Sequence, residues 1–314
     1  MAVTFAVTPR SPSTPVPAER GPRGRALRRH LTGWAFAGPA TAIVVGLSIF
    51  PAVWAFFISR AKWNGIAPAT MVGWGNYRKL VQDPDMIAAT RHTLILTAIF
   101  VPGSIVLGIL IAVALNQKIR LIGFYRTCIF VPYVASAAAT GILAGFVFNP
   151  QFGVVNDILR HLGLPQGQFL ESRHVAIYVI CVIALWGEVG FTTVIYLAAL
   201  QDIPRDLVEA ATMDGAGKWR VFRHVTLPEL RPVTVFAAVW QTITAMQLFD
   251  LIYTTTRGGP INSTQTIVYY IYELAFQTQR LGYGAAAAYL LFIVTLVLSL
   301  IVILYSRRRG SEVF

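Results

Sequence analysis

The chain has 314 residues, of which 55% are hydrophobic and 13% are charged, and its mean hydropathy is +0.60. In a soluble domain roughly a quarter of the residues are charged. The apolar residues of this chain also fall in long runs, and a run of about 20 is enough to cross a bilayer as a helix. The composition therefore excludes a soluble protein. The net charge of +12 does not indicate a nucleic-acid-binding protein, because the basic residues lie between the apolar runs, where membrane topology accounts for them.

The two ends of the chain are polar. Residues 1–30 are rich in proline, serine and arginine and contain no apolar stretch before Leu31, so they do not resemble a signal peptide. Their composition predicts a disordered tail, and residues 306–314 form a second, short polar tail. The sequence between them, residues 31–305, is predicted to be one transmembrane domain.

Six apolar segments of this domain qualify as membrane spans. They are Leu31–Ile58, Thr93–Leu115, Leu121–Phe148, Val175–Leu200, Val233–Tyr253 and Ala285–Tyr305. Several contain proline, as at Pro51, Pro102 and Pro132, which membrane helices tolerate when neighbouring helices satisfy the freed backbone groups. The sequence therefore predicts an all-α integral membrane protein with six transmembrane helices, some of them kinked around a cavity.

The distribution of basic residues predicts the orientation of the spans. If the N-terminus is cytoplasmic, 17 of the 26 lysine and arginine residues lie on the inner side and 9 on the outer side. Cytoplasmic segments of membrane proteins carry an excess of these residues. An even number of spans returns the chain to the side on which it started. Both termini are therefore predicted to be cytoplasmic.

Polar side chains within the fourth and fifth spans are candidates for a solute pathway. Glu188 lies in the fourth span, where an ionisable residue costs about 3 kcal/mol at the bilayer centre and therefore normally faces a cavity or a partner. The fifth span carries a polar row whose i, i+3 spacing follows one side of a helix. This row consists of Gln241, Thr244, Gln247 and Asp250. The alternative is that all these groups only hold helices together by hydrogen bonds.

The longest inner connection, residues 201–232, is predicted to contain two short helices. A break at Asp214-Gly215 separates them. The preceding run Glu209-Ala-Ala211 suits a docking surface, because its alanines permit close approach and its glutamate can pair with a basic residue of another protein. Physical properties alone favour a docking surface and a solvated amphipathic loop equally.

The connection between the fifth and sixth spans begins with a turn-rich break at Thr254–Pro260. It continues with Thr266–Phe276, which carries three tyrosines and a phenylalanine. Because such aromatic side chains favour the membrane–water boundary, this segment is predicted to be an interfacial helix lying on the outer surface. A short re-entrant or tilted extension of the span is the alternative.

The run from Glu209 to Ala216, continued by Leu227-Pro228 and Pro232, resembles the EAA signature of ABC importer permeases. It reads Glu-Ala-Ala-Thr-Met-Asp-Gly-Ala, without departure at the signature positions. Other motifs are similar to those of carbohydrate-uptake permeases. These are Trp74-Gly-Asn-Tyr77, Phe124-Tyr-Arg-Thr127 with Val131-Pro-Tyr133, Phe148-Asn-Pro-Gln-Phe-Gly153, Phe249-Asp250 and Gly258-Gly-Pro260. The likeness is to the first permease subunit of the maltose and glycerol-phosphate type, although the extra N-terminal spans and large outer domain of the maltose member are missing.

This resemblance implies roles for the inner connection and for the fourth and fifth spans. In such permeases the EAA segment is a coupling helix seated in a cleft of the ATP-hydrolysing subunit. The docking contact would be formed by Glu209, Ala210, Ala211, Asp214 and Gly215. Glu188 and Phe191 align with positions that face the sugar, and further sugar contacts are expected on the fifth span.

The resemblance also implies a multi-subunit importer in the lipid bilayer of a bacterial plasma membrane. The expected partners are a second homologous permease, two ATP-hydrolysing subunits and an extracytoplasmic solute-binding protein. The sequence contains no phosphate-binding loop ending in Gly-Lys-Ser/Thr, so ATP and Mg²⁺ are expected on the partner ATPase, with no catalytic residue or cofactor in this chain. No nucleic-acid partner is expected.

Two rival classes of membrane protein fit the sequence less well. An ion-driven secondary transporter of a polar solute would use buried acids as coupling sites, but the matched inverted repeats of many such folds are not found in the sequence. A membrane enzyme lacks support because none of the five histidines pairs with Glu188 at metal-ligand spacing. Cys128 and Cys181 both lie in apolar segments outside any metal motif, and both are predicted to be buried.

The sequence leaves the solute open. Members of the resembled family carry disaccharides, oligosaccharides, amino sugars and glycerol-phosphate compounds. A phosphorylated solute requires cationic contacts, and no lysine or arginine lies in the middle of a span, which favours a neutral sugar. The second permease could still supply the cation.

Overall fold

The computed structural model describes residues 22–117 and 120–308, and the side chains of residues 33–117 and 120–304. Residues 1–21 of the predicted N-terminal tail and residues 309–314 of the predicted C-terminal tail lie outside the described residues. Helix α1 begins at Pro22, nine positions before the predicted start of the first span at Leu31.

The described chain is mostly helical. The helices are α1 Pro22–Val44, α2 Phe50–Ser59, α3 Gly75–Gln82, α4 Pro84–Leu115, α5 Ile122–Val134, α6 Ala137–Val147, α7 Val154–His161, α8 Ala176–Asp202, α9 Arg205–Met213, α10 Lys218–Val221, α11 Leu227–Glu229, α12 Arg231–Met246, α13 Asp250–Thr255, α14 Ile267–Tyr272 and α15 Leu281–Arg308. Short π-helical turns occupy Val45–Ile49, Phe222–Thr226 and Glu273–Gln277, and a 3₁₀ turn occupies Phe169–Glu171. Strands β1 (Ala61–Lys62) and β2 (Thr70–Met71) form an antiparallel hairpin with Ala61 opposite Met71.

The chain divides into two compact units, one up to Trp54 and one from Ala55 onward. The first unit holds α1 and the beginning of α2. The second unit contains the cores, the cavities and all the sites described below.

Five stretches of the described residues are long and apolar enough to cross a membrane, and a bent helix pair is a sixth candidate. The five are Gly33–Ser59, Pro84–Leu115, Ala176–Asp202, Arg231–Thr255 and Leu281–Leu304, and the pair is Ile122–Val134 with Ala137–Val147. Each overlaps one predicted span, so the predicted all-α, six-span fold is confirmed.

The second span begins nine residues earlier than predicted. Its helix starts at Pro84, where proline suits a first helical turn, and Asp83 caps it by accepting a hydrogen bond from the Asp85 backbone N–H at 3.0 Å. Charged residues in the first turns hide this start from a hydropathy search. The resulting helix of 32 residues is about 48 Å long at 1.5 Å per residue.

The third span is not one kinked helix. Helices α5 and α6 meet at 98°, with Ala135 and Ser136 extended between them. Pro132, one turn before the break, has no N–H to donate within the helix. The sequence marked this proline, but the size of the bend is set by packing: α6 contacts α13, and α5 contacts α8.

The fifth predicted span is also interrupted. Helix α12 ends at Met246, residues Gln247–Phe249 leave the helical path, and α13 starts at Asp250. The Thr266 hydroxyl donates a hydrogen bond to the Leu248 carbonyl oxygen at 3.2 Å, so part of the broken backbone is satisfied from another segment.

Helices α4 and α8 run parallel through the centre of the second unit. Leu96 and Phe100 of α4 pack with Ile180 of α8 near one end, and Leu115 packs with Leu200 near the other. A Cβ atom at Gly190 would overlap the Ile129 carbonyl oxygen, so glycine permits α5 to approach α8 closely.

The ends of the domain are distinguished by the connections that they carry. Leu115 and Leu200 lie at the end where residues 201–232 are attached, called here the coupling end. The first residues of α4 and α15, including Met86 and Tyr283, pack together at the opposite end.

The segment after the fifth span forms the predicted helix, but it packs into the domain instead of lying free, and its position at the outer membrane boundary stays a prediction. It forms α14 and a π-helical turn that pack against α4 and α15, and Ile267, Tyr270 and Leu274 are buried in a core cluster. The aromatic side chains that suggested an interfacial helix are therefore mostly packing residues.

A partly buried polar contact joins α14 and α15 to the start of α4. The hydroxyls of Tyr270 and Tyr283 donate hydrogen bonds to Asp83 Oδ2 at 2.8 Å and 2.7 Å. Burial raises the pKa of the Asp83 carboxyl, but these two hydrogen bonds and those from backbone N–H groups outweigh burial and hold that pKa below its ordinary value. Asp83 is thus an ionised anchor at the opposite end.

Candidate functional site

The two interrupted spans border a cavity in the interior of the second unit. Its volume is about 120 Å³. Pro132 and Tyr133 contribute from the end of α5, Glu188 from α8, Thr244 from α12, and Leu248 from the break after α12. The break between α5 and α6 contributes Ala135 to the wall, and the break after α12 contributes Leu248. A cavity wall is the usual place for irregular backbone at membrane depth.

Glu188 lies near the middle of α8 and is half-buried. Its Oε2 atom is buried without a hydrogen-bond partner. The Gln241 side chain faces this carboxylate from α12, and its Nε2 donates a hydrogen bond to Thr192 Oγ1 at 2.6 Å. Gln241 Oε1 is also buried and unpartnered. Glu188 and Gln241 thus face each other as acceptor and donor at the α8–α12 interface, and each keeps one acceptor oxygen without a partner.

A row of aromatic rings extends from the cavity across three helices. Tyr133 of α5 stacks on Phe191 of α8, with ring centroids 5.1 Å apart and planes inclined by 23°. Phe191 in turn contacts Trp240 of α12 at 5.5 Å, and Trp240 stacks on Phe236 at 6.2 Å. Trp240 is 43% exposed, so the row ends on the open surface of this chain.

The structure brings together only part of the predicted pathway set. Glu188 and Thr244 line the cavity. Gln241 is buried beside it, and Phe191 belongs to the aromatic row. The fifth span is one apolar stretch with a local break after Met246, so the predicted row does not lie on one uninterrupted helix, and the pathway role of its outer members stays a prediction. Gln247 and Asp250 are exposed beyond that break and do not line the cavity.

Sequence reasoning missed Tyr133, Phe236 and Trp240. Tyr133 was part of a motif quoted for its family likeness, and Trp240 directly precedes Gln241. Aromatic residues are common in apolar spans, so only their convergence from different helices separates these three from ordinary packing residues.

The connection at the coupling end forms the two predicted short helices. α9 holds Glu209, Ala210 and Ala211, and a turn with Gly215 at φ +78° separates it from α10. The left-handed φ is one that glycine adopts readily, which explains the Asp-Gly break in the sequence.

The surface of this connection is open. Glu209, Ala210, Asp214 and Gly215 are exposed, and Ala211 is half-buried. No residue of α9 is buried.

Large apolar side chains are exposed on the same connection. Met213 is 88% exposed and Trp219 is 71% exposed. Trp219 packs on Phe222 with ring centroids 5.7 Å apart. A cleft of about 920 Å³, bordered by Glu209 and Lys218, separates the connection from the ends of α4 and α8. A charged, apolar and uncovered surface of this kind suits contact with another protein.

No group of three metal-ligating side chains occurs among the described residues. Cys181 is buried, as predicted, whereas Cys128 is exposed, so its predicted burial is wrong. The reason is that α5 has no buried residue in this chain and contacts its neighbours along one face only.

Comparison with known proteins gives the family. Residues 104–310 match the family described as the binding-protein-dependent transport system inner membrane component. The chain belongs to this family. The family likeness inferred from the EAA run is thereby confirmed, and the chain is a multi-pass permease of an inner membrane.

Named relatives agree with this assignment. The chain is 35% identical over 257 residues to the sulfoquinovosyl glycerol transport system permease protein of Agrobacterium fabrum, covering 81% of this chain and 83% of the relative. It is 35% identical over 318 residues to the diacetylchitobiose uptake system permease protein of Streptomyces coelicolor, covering 95% and 89%.

A solved structure shows the same fold. A chain of a bacterial ABC transporter involved in the import of the acidic polysaccharide alginate superposes with a TM-score of 0.81. The sequence identity is 24%, and the superposition covers 92% of this chain and 99% of the other.

Proposed function

We propose that this chain is the first of two permease subunits of an ATP-driven importer, and that it carries a neutral sugar or sugar derivative. Relatives at about one-third identity are named for diacetylchitobiose, which is neutral, and for sulfoquinovosyl glycerol, which carries a sulfonate, so they support a sugar-type solute but not its charge. No lysine or arginine borders the cavity within the described residues, which argues against a phosphorylated solute such as a glycerol-phosphate compound.

The observation that carries the solute proposal is the pairing of Glu188 with the aromatic row. A carboxylate accepts two hydroxyl hydrogen bonds, and an aromatic ring covers the apolar face of a sugar. Glu188 Oε2 has no protein partner, Tyr133 borders the same cavity, and Phe191 stacks on Tyr133. Gln241 and Thr244 supply further polar groups. The cavity is small, so we propose that it widens when the second permease completes the path.

The coupling proposal rests on residues 201–232. The exposed run Glu209-Ala-Ala211 would insert into a cleft of an ATP-hydrolysing subunit, with Asp214 and Gly215 forming the turn that follows. ATP and Mg²⁺ would be bound by two such subunits. Their closure would move the coupling end, and the spans would switch between inward-open and outward-open states, which is coupling between distinct sites.

The remaining parts of the proposal concern orientation and delivery. The excess of basic residues predicts that the coupling end and both termini are cytoplasmic. An extracytoplasmic binding protein would then deliver the solute to the opposite end. An ion-driven mechanism is disfavoured, because the family is that of binding-protein-dependent transport systems.

The test is reconstitution of the complex in lipid vesicles with its partner subunits and binding protein. Sugar-loaded binding protein should stimulate ATP hydrolysis and drive uptake. Glu209→Ala should lower both, because it removes a charged docking contact, while the chain stays in the membrane. Uptake driven by an ion gradient without ATP, or full stimulation in Glu209→Ala, would contradict the proposal.

A further inference from the structure

A second, larger cavity opens at the end opposite the coupling segment. Its volume is about 460 Å³. It is bordered by the β1–β2 hairpin, by α3 and by residues 279–283 at the start of α15. Asn76 of α3 fixes the hairpin by donating hydrogen bonds to the Ser59 and Ala61 carbonyl oxygens at 2.8 Å and 2.9 Å. A Cβ atom at Gly282 would overlap the Ala61 carbonyl oxygen, so the hairpin also sits tightly against α15.

The lining of this cavity is cationic. Lys62, Lys79 and Arg280 border it, and none of the described lining residues is a carboxylate. The Arg280 guanidinium lies 4.4 Å from the centroid of the Tyr283 ring, which holds the guanidinium over the aromatic face. The nearby carboxylate of Asp83 is occupied by the hydroxyls of Tyr270 and Tyr283 and does not line the cavity. Three positive charges therefore converge on one concave site.

Span lengths place the site near the level of the lipid headgroups. The first apolar span ends at Ser59 and the last begins at Leu281, so the segments next to these two ends are expected at the membrane boundary. The indole of Trp63 and the ring of Tyr283 in the lining belong to the residue types that are enriched at this boundary.

An uncovered apolar surface continues from the site towards the bilayer. Phe57 is 52% exposed and Phe292 is 60% exposed. Phe292 follows Leu281 by 11 positions along α15, so it lies about 16 Å deeper at 1.5 Å per residue. That distance is close to half the hydrocarbon thickness of about 30 Å. A cationic site next to an exposed apolar surface matches a lipid with an anionic headgroup and acyl chains.

We propose that this cavity binds the phosphate of an anionic phospholipid from the adjacent leaflet. The cations would hold the phosphate oxygens, Arg280 through its forked donors and the lysines as point charges. The acyl chains would follow the exposed face of α15 that includes Phe292. A soluble anion or an acidic protein surface would explain the three cations of the cavity but not the exposed apolar surface beside it.

The experiment measures retained lipid on the full chain purified with its partner subunits. The complex is extracted from vesicles of equal phosphatidylglycerol and phosphatidylcholine content, and bound lipid is identified by native mass spectrometry. The test variant is the triple change Lys62→Gln, Lys79→Gln and Arg280→Gln. Each cation near a membrane surface contributes about fivefold to binding, so the triple variant should retain phosphatidylglycerol at least about tenfold more weakly, with phosphatidylcholine unchanged.

A matched control removes three cations from the same end without touching the cavity. It carries Arg78→Gln, Arg160→Gln and Arg173→Gln, all at exposed positions. Lipid retention by this control should equal that of the wild type. Thermal melting of both variants in detergent verifies that each is folded.

Four results would overturn the proposal. If the folded test variant retained as much phosphatidylglycerol as the wild type, the cavity would not be the lipid-binding site. A loss of phosphatidylglycerol retention in the control variant instead of the test variant would show that cations at this end bind lipid independently of the cavity. Release of bound phosphatidylglycerol by inorganic phosphate alone would assign the cavity to a soluble anion. Weaker binding of the solute-binding protein by the test variant than by the wild type in phosphatidylcholine nanodiscs, without any change in lipid retention, would assign the cavity to a protein.

Discussion

Replacing Glu188 by glutamine separates a solute-binding role from a structural one. In the wild type, the Gln241 side chain is placed to donate a hydrogen bond to the Glu188 carboxylate, while Glu188 Oε2 and Gln241 Oε1 are buried without donors. Glutamine at position 188 keeps a side-chain oxygen that can accept from Gln241. A hydrogen bond to a neutral group is weaker than one to a charged group by about 1 kcal/mol, so Glu188→Gln should change the free energy of unfolding by no more than about 1 kcal/mol.

The same change should impair transport. A hydrogen bond to a charged group contributes about 1.5–3 kcal/mol, and its loss from the solute corresponds to a fall of about 10- to 150-fold in kcat/KM for uptake. Glu188→Leu removes both acceptors and should lower uptake further. The assay is uptake into vesicles, with subunit stoichiometry and basal ATP hydrolysis measured on the same preparations.

Asp250→Asn is the matched control, since it makes the same chemical change at an exposed carboxylate outside the cavity. Its uptake should stay close to that of the wild type. Normal uptake by Glu188→Gln, or a loss explained wholly by dissociation of the subunits, would refute the solute-binding role and leave Glu188 as a helix-packing residue.

Three further predictions concern the two ends of the domain. Ala211→Arg should block close approach of the ATPase sterically and abolish uptake while the chain stays inserted; co-purification of the ATPase together with normal uptake would contradict this. In a cysteine-free background, a membrane-impermeant thiol reagent applied to intact cells should label Gln166→Cys but not Met213→Cys, and labelling of both, or only of the latter, would refute the orientation. Asp83→Asn should lower the free energy of unfolding by about 1–3 kcal/mol, because hydrogen bonds from two tyrosines to a carboxylate are weakened. Since the folded-state pKa of Asp83 is depressed, this stabilisation is complete above the ordinary pKa of about 4 and is lost as the pH falls through the lower folded pKa. Melting temperatures of the wild type and of Asp83→Asn should therefore converge at acidic pH, and a constant difference down to that range would count against the role of the carboxylate.

The fold was largely predictable because a bilayer imposes simple rules. Apolar length identified all six spans, and the glycine of the Asp214-Gly215 break has the positive φ that such a break requires. Helix ends were predicted less well. The start of α4 depends on a cap at Asp83, which lies among charged residues and outside the apolar window.

The candidate site was only partly predictable. Glu188 stood out because a carboxylate in a span is costly, and Thr244 shares its cavity. The breaks at Ser136 and Gln247 could not be predicted from local sequence, because they depend on contacts between α6 and α13 and on the bond from Thr266 to the Leu248 carbonyl. The aromatic row was missed for the same reason, since its members come from three helices.

The interrupted fifth span connects the two candidate sites mechanically. Helix α12 begins at Arg231, directly after the coupling segment, and Leu230 at its start is buried in the core near the coupling end. Its 16 residues extend about 24 Å at 1.5 Å per residue and end at the break that borders the cavity. Under the proposed coupling, α12 would move as a rigid element and transmit a displacement of the coupling segment to the break. Under the proposed coupling, the broken backbone after Met246 is then where the displacement becomes a change in cavity shape, since an unbroken helix would carry the motion past the cavity.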